Sequence, residues 1–134
     1  MNPRRVSCSE RPRVVATHAS RAGACAALLV AGAALAHAML DKAVPAVGSR
    51  VATSPPRVEL VFTERLEPAF STVRVLDASG RRVDRGDSAV DASVREHLGV
   101  SLPPLPPGRY RVAWRAVSVD THVTSGDYAF DVGP

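Results

Sequence analysis

Residues Arg109 to Val119 read RYRVAWRAVSV. Tyr110, Val112, Trp114 and Ala116 fall on one parity, and Arg109, Arg111, Ala113 and Arg115 on the other. A period of two is the period of a strand with one buried face. A helix would spread the same arginines over its apolar stripe. Shorter runs repeat the rule. VELVF (Val58 to Phe62) follows Ser54-Pro55-Pro56, and TVRVLD (Thr72 to Asp77) enters the turn sequence Asp77-Ala78-Ser79-Gly80. VREHLGVSL (Val94 to Leu102) precedes PPLPPG, and DYAFDV (Asp127 to Val132) turns Tyr128, Phe130 and Val132 inward. No window keeps a helical period with caps. Short strands separated by turn cues about every ten residues predict an all-β sandwich. The proline pairs at 55–56, 103–104 and 106–107 punctuate loops, because proline cannot donate to a ladder.

The first 36 residues follow a different pattern. Arg4, Arg5, Arg11, Arg13 and Arg21 form a basic lead. Ala22 to Ala36 is an uncharged apolar run ending in Ala34-Leu35-Ala36. It is short for a membrane span, which takes about 20 apolar residues. Basic lead, apolar core and a small-x-small end predict a signal peptide over residues 1–36, cleaved after Ala36. The domain is then expected over residues 37–134, outside the cytoplasm.

That cut redistributes the charge. The leader holds five of the 17 Lys and Arg and one of the 13 acids, so residues 37–134 carry 12 of each sign. A neutral domain argues against nucleic acid or an anionic membrane as partner. Cys8 and Cys25 also lie in the leader, which leaves no disulfide and no thiolate ligand beyond it. A domain of this size without a staple depends on its core.

The chemistry gathers at VSVDTH, Val117 to His122. Read as a strand, these residues point Asp120 and His122 to the same side. Cleavage after Ala36 makes His37 the first residue, which offers two nitrogens, the α-amine and the ring. An α-amine has a reference pKa of about 8, so a metal can displace its proton at neutral pH. With the Asp120 carboxylate and the His122 ring, the set is three nitrogens, one oxygen and no sulfur. It suits a tetragonal Cu(II) or Ni(II) site, with Cu(II) highest in the affinity order. Zn(II) takes the same ligands but prefers a tetrahedron. The plainer reading is a histidine at a strand end and an aspartate in a turn.

The opening and closing stretches carry a resemblance. His37 to Leu40 gives His-x-x-Leu, Pro45 to Gly48 gives Pro-x-x-Gly, and Pro56 to Glu64 is a strand pattern, followed by Phe70. The end places Gly108, Tyr110, Val112, Trp114, Ser118, Asp120, His122, Gly126, Phe130 and Val132 in one long pattern. Together they resemble the copper resistance protein CopC family. The middle, roughly Asp84 to Pro107, fits only loosely. The resemblance implies an Ig-like, seven-stranded Greek-key β-sandwich in the periplasm. It implies one Cu(II) per chain, held by the amine and ring of His37, by Asp120 and by His122. It also implies copper passage to or from a membrane partner of the CopD type. Some family members carry a Cu(I) site in a Met-rich loop. Here Met39 is the one methionine beyond the leader, so no Cu(I) site is expected.

Other residues weigh less. Glu64 is a candidate to orient a metal-bound imidazole, as acids behind metal ligands commonly do; a surface acid is the alternative. His97 reads as a surface histidine, and Ser118 and Thr121 as supports for the ligands. Arg109, Arg111 and Arg115 read as an exposed strand face. The expected function is non-catalytic copper binding by a monomer. A histidine-brace copper oxygenase and a metal-free Ig-like interaction module are the rivals. Asp120 disfavours the first by filling a place that oxygen would need.

Overall fold

A computed structural model of the chain describes residues 37–134, and the expected signal peptide lies outside the described residues. Eight strand segments follow one another: β1 (Leu40–Val44), β2 (Arg50–Val51), β3 (Arg57–Phe62), β4 (Thr72–Leu76), β5 (Ala89–Val90), β6 (His97–Ser101), β7 (Gly108–Val117) and β8 (Val123–Val132). They form two four-stranded sheets, ordered β1-β3-β6-β5 and β2-β8-β7-β4. The chain alternates between the sheets through its first five segments, the crossing habit of Ig-like sandwiches. The expectation of seven strands changes to eight segments because β2 and β5 are two-residue edges. Two residues are too few to show alternation in a sequence.

The alternation seen in the sequence orients the sheets. In β3, Val58, Leu60 and Phe62 are buried, while Arg57 is exposed and Glu59 and Val61 are half-buried. In β7 and β8, Tyr110, Val112, Ala116, Tyr128, Phe130 and Val132 meet the other sheet's Val58, Leu60, Leu98 and Val100 in one core. Tyr110 stacks on Phe130, ring centroids 5.8 Å apart. Its hydroxyl donates to the Pro106 carbonyl at 2.6 Å, tying the loop before β7 to the core. This resembles the tyrosine corner of Ig-like domains. Tyr128 donates likewise to Pro45 at 3.0 Å, and burial pushes its phenol well above the usual range.

Trp114 and Gly126 are direct partners across β7 and β8. Trp114 meets Phe62 edge-on at 5.1 Å, which joins the two sheets. The indole lies over Gly126 so closely that a Cβ there would come within 2.7 Å of Cζ2. Glycine is therefore required by packing.

The loosely patterned middle uses side chains where a strand would use backbone. On the open edge of β4, the Val73 amide donates to Ser88 Oγ at 2.8 Å and the Val75 amide to Asp84 Oδ2 at 2.8 Å. The Ser101 amide donates to Asp87 Oδ1 at 2.8 Å. Hydroxyls and carboxylates leave no alternating signature, which accounts for the weak pattern there.

Two outcomes are expected. Gly126→Ala should destabilise the domain by about 1–3 kcal/mol in urea unfolding, the usual range for overpacking. The second concerns Asp77, whose carboxyl is lowered from 3.8 to about 2, chiefly by the Ser79 hydroxyl and then by the Arg81 amide. A carboxyl depressed on folding adds stability above its unfolded value, and that stability is lost as pH falls through the native one. Asp77→Asn should therefore flatten the stability–pH curve between about pH 4 and pH 2. A residual slope should remain from Asp87, Asp91 and Asp120, which are also lowered.

Candidate metal centre

The ladder between β7 and β8 ends at the pair Val117↔Val123. Residues 118–122 form the connecting turn, so Asp120 and His122 do not stand on a strand as expected. Strand alternation is not what brings them together. Hydrogen bonds within the turn do so: the Ser118 amide donates to the His122 carbonyl at 2.9 Å and the Thr121 amide to the Ser118 carbonyl at 2.8 Å. Thr121 takes φ 73°, a left-handed conformation that a β-branched residue adopts at a cost. From outside, the Val119 amide donates to the Arg65 carbonyl at 3.0 Å, and Ser118 bridges Leu66.

Ser118 is buried, and its hydroxyl donates a short hydrogen bond to Asp120 Oδ1. That bond is the largest cause holding the Asp120 carboxyl below its ordinary range, with His122 contributing next among the lowering causes. The other oxygen, Oδ2, lies 3.0 Å from Nδ1 of His122. Nδ1 is buried and has no well-directed hydrogen-bond partner, Oδ2 included. The two atoms are close but out of line for an ordinary N–H···O bond. Two donors at right angles about one ion, each about 2.0–2.1 Å from it, stand roughly 2.9 Å apart. The 3.0 Å pair is an ordinary ion-pair contact whose spacing neighbouring ligands of one ion also take.

His37 stands at the start of the described residues. Its ring centroid is 5.2 Å from that of His122, with the planes tilted by 50°. Three residues hold its segment. Ala38 is fully buried in the core. Thr124 donates to the Ala38 carbonyl at 2.7 Å. Thr63 accepts from the Met39 amide at 3.0 Å, and its own amide donates to the Met39 carbonyl at 2.9 Å.

The structure thus brings His37, Asp120 and His122 to one end of the sandwich. They do not stand as a closed cage: among the described residues no three His, Cys, Asp or Glu side chains are already gathered at metal-holding distances. Glu64 is half-buried and next to Thr63, whose hydroxyl and amide hold the Met39 backbone. Met39 is 60% exposed. His97 lines a separate shallow groove with Arg57, Asp87 and Asp91. Sequence reading missed Thr63 and Thr124. Thr124 did leave a signal, since it occupies an inner-face position of β8, opposite buried Ala116.

If the Ser118 hydroxyl sets the charge of Asp120, Ser118→Ala should raise the Asp120 carboxyl toward the ordinary carboxylate range. A pH titration of the carboxyl carbon by NMR, in metal-free protein, reads this directly.

Known proteins share this arrangement of strands. The CopC domain profile matches residues 40–133, a stretch that includes Asp120 and His122 and starts three residues after His37. Copper resistance protein C of Escherichia coli is 39% identical over 111 residues, covering 77% of this chain and 86% of that protein. Copper transport protein CutJ of Bacillus subtilis (strain 168) is 34% identical over 99 residues, 73% of this chain but 18% of its own much longer one. The crystal structure of CopC from Methylosinus trichosporium OB3b superposes with a TM-score of 0.66 at 36% identity, covering 73% of this chain and 95% of that one. The structure of PcoC, a methionine-rich copper resistance protein from Escherichia coli, gives 0.64 at 37% identity, covering 72% and 99%. With the profile spanning most of the chain and solved members superposing over most of the sandwich, this protein belongs to the CopC family.

Proposed function

We propose that residues 37–134 hold one Cu(II) ion outside the cytoplasm, as part of copper resistance or homeostasis. The ligands are the α-amine and ring of His37, the carboxylate of Asp120 and the ring of His122. The observation that carries this reading is the buried His122 Nδ1, unaligned with any hydrogen-bond partner and 3.0 Å from Asp120 Oδ2, with the His37 ring beside it. The relatives named for copper resistance and copper transport select copper among the ions that this donor set suits.

Each residue has a task in that reading. Asp120, kept charged by Ser118, offsets the positive charge of the ion. His37 supplies a chelate from a single residue once the leader is removed after Ala36. The turn at 118–122 fixes Asp120 and His122 relative to each other before any ion arrives. With a carboxylate in the fourth place, the ion is held rather than opened to oxygen, so the role is carriage and not catalysis. Thioether ligands suit softer Cu(I), and Met39 is the one methionine among the described residues, so the reading includes no Cu(I) site. The domain acts as a monomer in the periplasm and passes copper to or from a membrane partner of the CopD type.

The test compares two proteins in a Cu(II) titration against a competing chelator. One begins at His37; the other has a single alanine before it. The first should bind one Cu(II) far more tightly, and saturating Cu(II) should raise its melting temperature by mass action. Equal, weak binding by both would remove the amine from the ligand set and favour a metal-free interaction module.

A further inference from the structure

Two threonines, one from each sheet, hold the segment that carries His37. Thr124 stands on β8 opposite Ala116, which is fully buried, so its side chain faces the space between the sheets. Alternation reserves that position for an apolar residue, as Tyr128, Phe130 and Val132 show further along. Its hydroxyl donates to the Ala38 carbonyl at 2.7 Å. Thr63 directly follows buried Phe62 at the end of β3. Its hydroxyl accepts from the Met39 amide at 3.0 Å and lies 3.4 Å from the His37 carbonyl. The Ala38 methyl fills the core between them, fully buried.

We propose that Thr63 and Thr124 form a cross-sheet clamp that fixes the register of the chain's entry, so that residue 37 and no other faces His122. They are positioning residues and touch no ligand atom of the ion. The physical reason is the mobility of a chain start. An extended segment without side-chain anchors frays, and a ligand on a fraying segment must be ordered at the moment of binding, which weakens affinity. A clamp on residues 38 and 39, with the Thr63 hydroxyl also 3.4 Å from the His37 carbonyl, sets where His37 stands relative to His122. A shift of one residue would turn Ala38 out of the core and move the imidazole to the opposite side. The consequence for metal binding and the fraying of a start at His37 rest on the reading given above; the hydrogen bonds that position the segment do not.

The test uses protein beginning at His37, with Thr63→Val, Thr124→Val, the double variant and Thr124→Ser. Valine keeps the shape and removes the hydroxyl; serine keeps the hydroxyl. In metal-free protein, NMR should show the nuclear Overhauser contact between the His37 and His122 rings in the wild type and in Thr124→Ser. That contact should be lost in the valine variants, and Met39 amide exchange should accelerate in Thr63→Val. Cu(II) affinity should fall about 5–10-fold for each valine, as for one lost hydrogen bond, with the change in Cu(II) spectrum that a displaced ligand produces. Thr124→Ser should restore both. Retained ring contact in the double variant overturns the clamp, and so does unchanged Cu(II) affinity after the contact is lost. If the wild type takes up no Cu(II), the copper reading fails and the ring contact alone decides the clamp.

Discussion

An unbroken antiparallel ladder runs between β7 and β8 from Gly108↔Val132 to Val117↔Val123. Its register decides which side chains reach the interior. Tyr110 meets Phe130, Trp114 lies over Gly126, and Ala116 faces Thr124, each pair on the inner face. A slip of one residue would reverse all of these at once. The same register carries the turn at 118–122 to one end of the sandwich, where the chain's entry from His37 passes. Core and candidate metal centre thus share one register.

Around that turn, the polar groups are arranged economically. Ser118 is buried yet satisfied, its hydroxyl on Asp120 and its amide on the His122 carbonyl. The strained φ of Thr121 completes the reversal that sets Asp120 beside His122. Strain of this sort persists where the surroundings over-determine it, and here they do: the ladder on one side, and the Arg65–Leu66 backbone on the other. A loop built of glycine would make the same reversal with less strain, but it would leave the carboxylate and imidazole free to part.

The sequence made β3, β4, β7 and β8 legible, because each buries one face and so alternates, whereas β6 buries Leu98, Gly99 and Val100 in a row and is read from its apolar run. It hid β2 and β5, whose two residues have no period, and it gave no reason to place a strand at Leu40–Val44. The meeting of Asp120 with His122 was foreseen on the wrong ground, since a turn unites them rather than a strand. A turn and a strand end can set residues two apart on the same side, and sequence spacing does not separate the two cases. Thr63 and Thr124 escaped notice because a threonine's worth depends on the carbonyl or amide it meets, and those belong to a distant part of the chain.

The treatment of β4 has a consequence for life in a crowded space. An edge strand normally offers its outward amides to any extended chain that drifts past. Here the Val73 and Val75 amides are already taken by Ser88 and Asp84 of the same molecule. A neighbouring copy finds no row of vacant donors along which to lay a strand. Along β4 the sheet is therefore closed to growth by a further strand, and copies of the molecule can crowd together without joining there.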